Sequence, residues 1–171
     1  MKIFNILILI SIIPLVGVML LILIPGRYNS YCFNAALFIS SLTFILSLIM
    51  WLIFDSGHNS FQFLCTIDWL PAFNFYYTVG VDGISLFFLI LTTFLIMVCV
   101  LISWGSINYR LKEYLINFLL LEFLLIQVFS VLDLLLFYVF FESILMPMFL
   151  IIGIWGSRER KIRAAYQFFL Y

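Results

Sequence analysis

Glu142 is the residue best placed for chemistry, because it lies near the middle of the long apolar run Leu134–Trp155, which contains no Lys, Arg or His. A run of this length can cross a bilayer, so the carboxyl group would lie about 15 Å from either surface. A charge at that depth costs about 2.5 to 3.5 kcal/mol on insertion scales. Burial favours the neutral form of a carboxyl group, which can then both accept and release protons. Glu142 is therefore predicted to transfer protons; the alternative is a protonated glutamate that only bonds helices together.

Two neighbours of Glu142 support this prediction. Pro147 follows it by five positions, and a proline inside a helix cannot donate to the carbonyl four residues back, which here belongs to Ser143. In a membrane that carbonyl must be satisfied by another helix or by water, and a polar cavity can form there. Ser143 and Pro147 are thus predicted to support Glu142. A proline kink used only for packing is the alternative.

A second acid, Glu122, lies in the preceding apolar segment with Asn117 and Gln127. Glu122 is a candidate proton relay, although these three polar residues are equally able to act as hydrogen bonds between helices. Asp133 is 9 residues before Glu142, which puts the two on opposite sides of a helix. Asp133 is therefore expected to cap the fifth helix rather than to share its proton.

The composition excludes a water-soluble domain. Of 171 residues, 67% are hydrophobic and 9% are charged, and the mean hydropathy is +1.28. The formal net charge of +0 says nothing about partners. We predict an all-α polytopic membrane protein in which residues 1–171 form the N-terminal part of one incomplete transmembrane domain. The expected spans lie at about 3–24, 35–54, 83–104, 114–131 and 134–155, and an incomplete sixth begins near 164 and runs to 171.

The connection between the second and third spans alternates apolar and polar residues like a β-strand. A first run is expected to turn at residues 71–74 and return through 75–81, and Asp82 is placed to cap the third span. We predict a short interfacial β-hairpin on the outer membrane face; an irregular aromatic loop is the alternative. The residues of one parity in the first run are Phe61, Phe63, Cys65, Ile67 and Trp69.

The basic residues give an orientation. When the five spans are threaded, all but Lys2 fall on one side, which the positive-inside rule assigns to the matrix or cytoplasm. The N-terminus and the hairpin are then outside. The residues on the basic side are Arg27, Arg110, Lys112, Arg158, Arg160, Lys161 and Arg163.

Motifs for redox or hydrolytic chemistry are not found in the sequence. Cys32, Cys65 and Cys99 are scattered, and there is no Gly-rich nucleotide loop, metal-ligand constellation or His pair for haem. Nucleic acid is not an expected partner. Movement of protons or ions remains as the function.

The stretch 133–147, continuing through 153–158 and 164–171, together with 80–88, closely resembles the chain 4 family of NADH-ubiquinone oxidoreductase. This resemblance implies an antiporter-like membrane-arm subunit of respiratory complex I in the mitochondrial inner membrane, with the N-terminus on the intermembrane-space side. It also implies that Glu142 is a proton-pathway group paired with a lysine on a later helix. NADH, FMN, iron-sulfur clusters and ubiquinone would be bound by other subunits, and no cofactor is expected in this chain.

Members of this family have many more spans than this sequence. The remaining helices are expected from a second polypeptide or from a missing C-terminal part, and we favour a split subunit. The other expected partners are complex I membrane-arm subunits and membrane lipids. Competing functions are a non-catalytic membrane scaffold and a free-standing cation/proton antiporter.

Overall fold

The computed structural model describes residues 6–26, 28–57, 60–70, 75–107, 109–156 and 160–171. Within these ranges, five helices are long and apolar enough to cross a membrane, and a shorter helix follows them. The predicted all-α polytopic class with one small sheet is confirmed. The elements are α1 (Ile6–Leu23), α2 (Asn29–Ile53), β1 (Gln62–Leu70), β2 (Phe75–Val81), α3 (Gly83–Ile102), α4 (Leu111–Ser130), α5 (Leu134–Trp155) and α6 (Lys161–Leu170).

Helix α2 begins earlier than the hydropathy indicated. Its first turn contains Asn29, Ser30 and Tyr31, which are polar enough to resemble a loop. Polar groups are readily accommodated in a first turn, because the backbone amides there have no partner within the helix. Helix α4 likewise begins at Leu111, ahead of its apolar part.

Helix α4 lies at the centre of the bundle and packs against α1, α2, α3 and α5. Half of its span is buried, whereas only 11% of the α5 span is buried. Helix α5 packs mainly on α4 and α6, so most of its surface has no protein neighbour in the described chain. The bundle thus has a closed interior around α4 and an open side along α5.

Gly17 allows α1 to approach the bundle closely. A Cβ atom at this position would lie 2.8 Å from Ile39 Cδ1 on α2 and 3.1 Å from Leu119 Cδ1 on α4. Small residues at such points let membrane helices pack tightly. The packing of α1, α2 and α4 therefore depends on the missing side chain.

Strands β1 and β2 form the predicted antiparallel hairpin, with Thr66 opposite Thr78. The register is irregular between Gln62 and Cys65, where Phe63 has a φ of 56°. The hairpin lies at the bundle end where α4 joins α5, because the Leu132 amide donates to the Thr78 carbonyl at 3.0 Å. The predicted turn at 71–74 lies outside the described residues.

Both predicted helix caps are present. Asp82 accepts from the Gly83 amide and forms a reciprocal capping box with Ser85 at the start of α3. Asp133 accepts from the amides of Leu135 at 2.8 Å and Leu136 at 3.2 Å at the start of α5.

The opposite end of the bundle is basic. Lys112 Nζ donates to the backbone oxygens of Ile22 at 3.0 Å and Ile24 at 2.7 Å, which lie at and just beyond the end of α1. Lys161 Nζ donates to the Ile154 carbonyl at 2.7 Å, near the end of α5. These two lysines, both predicted to lie on this side of the membrane, link α4 to the end of α1 and α6 to the end of α5.

Candidate functional site

Glu142 is exposed on the open side of α5, close to the middle of that helix. Tyr138, one turn earlier on the same helix, is also exposed, and its hydroxyl interacts with the Glu142 carboxyl group. Among the described residues, the ion pair found joins Arg110 to Glu113 at 3.5 Å, at the basic end. Within the described chain, Glu142 therefore has a phenol beside it and no cation.

The two residues predicted to support Glu142 lie on the same helix. The Ser143 hydroxyl donates to the Val139 carbonyl at 2.7 Å, so it is directed along the helix rather than toward the acid. Pro147 is buried, and α5 continues past it to Trp155. The Ser143 carbonyl receives no backbone hydrogen bond from position 147, because proline has no amide hydrogen.

Glu122 occupies a different environment, in the closed interior of the bundle. Its side chain is 0% exposed, and the Thr43 hydroxyl of α2 lies 2.5 Å from its Oε1 atom. The other carboxyl oxygen, Oε2, has no hydrogen-bond partner among the described residues. Glu122 therefore faces α2, whereas Glu142 lies on the open surface of α5, and the structure does not bring the two acids together.

Hydroxyl side chains line the face of α2 from which Thr43 contacts Glu122. Ser40, Thr43 and Ser47 are spaced by three and four residues, lie on one face of α2 and are all buried. The Ser47 hydroxyl lies 3.0 Å from that of Thr93 on α3, so the polar seam joins three helices. This seam was not predicted from the sequence, although the helical spacing of Ser40, Thr43 and Ser47 indicates it.

Gln127 belongs to a separate contact. Its side-chain oxygen accepts a hydrogen bond from the Tyr77 hydroxyl on β2. Burial raises the pKa of Tyr77, and the bond to Gln127 opposes this in part. Asn117 is engaged elsewhere, since it donates to the Glu113 carbonyl at 2.9 Å. Asn117, Glu122 and Gln127 of α4 therefore make their contacts at three different places.

A cavity of about 280 Å³ lies beside the Tyr77–Gln127 contact, between α1, the hairpin, α4 and α5. Its lining is largely apolar, with Ser11 of α1 as a further polar residue. As for metals, no group of three His, Cys, Asp or Glu in the described ranges could hold an ion.

The chain has clear relatives among known proteins. Residues 131–171 match the family described as NADH:quinone oxidoreductase/Mrp antiporter, transmembrane region. The whole chain is 65% identical to NADH-ubiquinone oxidoreductase chain 4 of Chondrus crispus and covers 35% of that protein. Over 92% of the chain, it is 54% identical to the protein of the same name from Arabidopsis thaliana, of which it covers 32%.

A solved structure gives the same result. The fold matches a chain of respiratory complex I from Thermus thermophilus with bound NADH, with a TM-score of 0.79 and 28% identity, over 96% of this chain and 32% of that chain. The present chain spans about a third of the length of the curated relatives it matches. High identity over the full sequence and the shared fold lead to one conclusion: the chain belongs to the NADH-ubiquinone oxidoreductase chain 4 family.

Proposed function

We propose that this chain forms part of an antiporter-like membrane-arm subunit of proton-pumping NADH:ubiquinone oxidoreductase. Its similarity to the chain 4 proteins and to a chain of respiratory complex I supports this proposal. The proposed location is the mitochondrial inner membrane, with the N-terminus on the intermembrane-space side. Electron transfer through NADH, FMN, iron-sulfur clusters and ubiquinone would take place in other subunits, and this chain would supply carboxyl groups for proton movement.

The observation that carries the proposal is the position of Glu142. It lies midway along a membrane-length helix whose span is only 11% buried in the described chain. A carboxyl group facing lipid at that depth is costly, so intramembrane acids usually face protein or a water-filled cavity. We therefore propose that further helices cover this side and that Glu142 lies at the interface with them.

The surface beside Glu142 fits such a covering. A wholly apolar groove of about 360 Å³ lies between α5 and α6, lined by Met146, Phe149, Leu150, Tyr166 and Phe169. The covering helices would come from a second polypeptide or from a C-terminal continuation, together with other membrane-arm subunits and lipids. The same helices would supply a lysine as the partner of Glu142.

In the proposed mechanism, Glu142 accepts a proton from a water-filled half-channel and exchanges it with that lysine. Electron transfer elsewhere in the complex would alter the charges near Glu142 and so change its proton affinity. Pro147 would assist, because the Ser143 carbonyl that it leaves without a helical donor can bind water close to the acid. Tyr138 would hold the carboxyl group in position.

We propose that Glu122 is a second proton-carrying group, which acts as a relay and has a smaller role than Glu142. Its carboxyl group faces α2, so a proton exchanged with Glu142 would have to pass around α4. A direct relay between the two acids therefore requires water or side chains from the covering helices.

The substitution Glu142→Gln separates this proposal from a membrane scaffold. Glutamine keeps the shape and hydrogen-bonding capacity of the acid but cannot exchange a proton. We expect the complex to assemble to its normal level on native gels while the proton transport driven by NADH oxidation is lost. Failed assembly in E142Q with normal specific activity of the residual complex would instead indicate a structural role.

A further inference from the structure

The Thr43 hydroxyl, at the contact between α2 and α4, lies within hydrogen-bonding distance of two oxygens. One is the backbone oxygen of Ser40 at 2.8 Å, and the other is Glu122 Oε1 at 2.5 Å. A hydroxyl group has a single hydrogen, so it can donate to only one of them. Whether the Thr43 hydroxyl donates to Ser40 or to Glu122 depends on whether Glu122 carries a proton.

A proton on Oε2 would have no acceptor among the described residues, so two arrangements remain. If Glu122 is protonated on Oε1, it donates to Thr43, and Thr43 donates to the Ser40 carbonyl, which leaves both contacts as hydrogen bonds. If Glu122 is ionised, Thr43 must donate to Glu122 and its contact with Ser40 is lost. The ionised form also leaves a charged Oε2 atom without a partner among the described residues.

Among the described residues, no positively charged group lies near Glu122 to compensate a negative charge. Helices α1, α2 and α3 contain no Asp, Glu, Lys, Arg or His over Ile6–Leu23, Asn29–Ile53 and Gly83–Ile102. Their remaining titratable side chains are Tyr31, Cys32 and Cys99. On α4 itself, Lys112 and Glu113 lie at the basic end, two to three turns away, and Glu142 of α5 is on the open surface. A buried charge without a partner of opposite sign is strongly unfavourable, and no such partner faces Glu122 in the part of the chain that the structure describes.

We propose that Glu122 is a proton-binding site, separate from Glu142, that holds its proton at neutral pH in the chain Glu122 Oε1–H to Thr43 to the Ser40 carbonyl. The neutral acid leaves unpaired only an uncharged carbonyl oxygen, which is far less costly than an unpaired carboxylate. The ligand of this site is a single proton. Thr43 is its positioning residue, because the direction in which its hydroxyl points differs between the two states.

Infrared spectroscopy of the resting membrane complex that contains the chain tests this proposal. A protonated carboxyl group has a C=O stretching band that is distinct from the carboxylate bands and shifts when hydrogen is replaced by deuterium. At pH 7, we expect one such band to disappear in Glu122→Gln. Retention of every carboxylic-acid band in that variant would mean that Glu122 is ionised and would overturn the proposal.

The pair Thr43→Val and Thr43→Ser gives a second test that does not require a change of the acid. Valine keeps the shape of threonine but removes the hydroxyl, so the Glu122 band is expected to move to the higher frequency of an acid without that hydrogen bond. Serine keeps the hydroxyl and is expected to leave the band in place. An unchanged band in Thr43→Val would overturn the proposed position of the proton.

These spectra do not depend on proton pumping. The Glu122 band is expected to persist in Glu142→Gln, whatever that variant does to turnover. The site at Glu122 and the proposed role of Glu142 can therefore fail separately.

Discussion

The hydroxyl of Tyr77 on β2 donates a hydrogen bond to the side-chain oxygen of Gln127 near the end of α4. Gln127 is 1% exposed, so a group from the connecting hairpin satisfies a polar atom in the interior of the bundle. The hairpin is also held by the backbone bond between Leu132 and Thr78 at 3.0 Å. It is therefore an integral part of the fold rather than a loose loop.

Replacing Tyr77 by Phe is expected to weaken this docking. The change removes the donor and leaves the Gln127 oxygen buried and unpaired, which costs about 1 to 3 kcal/mol. Hydrogen exchange of the Leu132 amide should become faster, because its acceptor lies on the same strand. Tyr76→Phe is a suitable control, since Tyr76 is 46% exposed. Equal protection of Leu132 in native protein and Tyr77→Phe would show that the bond contributes nothing.

The same tyrosine predicts a pH dependence. Burial raises the pKa of Tyr77 in the folded protein above its ordinary value of about 10. The folded state therefore binds this proton more tightly than the unfolded state. The corresponding stability is fully present below about pH 10 and is lost as the pH rises through the folded pKa. Thermal unfolding from pH 8 to 11 should show this loss in native protein and a smaller loss in Tyr77→Phe.

Gly17→Val is expected to disturb the packing of α1. Its side chain would overlap Ile39, which lies 2.8 Å from the position of the added Cβ, and such overpacking typically costs about 1 to 3 kcal/mol. The measurement is the thermal stability of the assembled complex in detergent. Gly83→Ala is the matched control, because no atom lies within 4 Å of a Cβ at that position. Equal stability of Gly17→Val and native protein would contradict the close approach.

The cap at Asp133 is expected to contribute to the stability of α5. Asp133→Ala removes the acceptor for the amides of Leu135 and Leu136 and should cost about 0.5 to 2 kcal/mol, whereas Asp133→Ser should retain most of it. The free energy of unfolding of the two variants, measured by denaturant titration, distinguishes them. If serine and alanine are equally destabilising, the carboxyl group has a role other than capping.

The sequence predicted those features that depend on neighbouring residues. Apolar runs marked the spans, alternation marked the hairpin, and Asp82 and Asp133 were recognised as caps because capping acts over two or three positions. Helix starts were less accurate, since polar residues such as Asn29 occur both in loops and in first turns.

Contacts between distant segments could not be predicted in the same way. Thr43 and Glu122 are 79 positions apart, and hydropathy alone does not reveal which helices are neighbours in a bundle. The exposure of Glu142 was unforeseen for the same reason, because it depends on how little of α5 the other described helices cover. The periodicity that identifies a membrane helix does not specify which face meets protein.

The most direct test of the central claim, that Glu142 transfers protons, is the number of protons moved per NADH oxidised by vesicles containing the Glu142→Gln complex. Glu142→Asp is the matched variant, since it keeps an exchangeable carboxyl group on a shorter side chain. We expect proton movement to fall to background in Glu142→Gln, with a measurable part retained in Glu142→Asp. A native ratio of protons to NADH in Glu142→Gln would contradict the proposed role of Glu142.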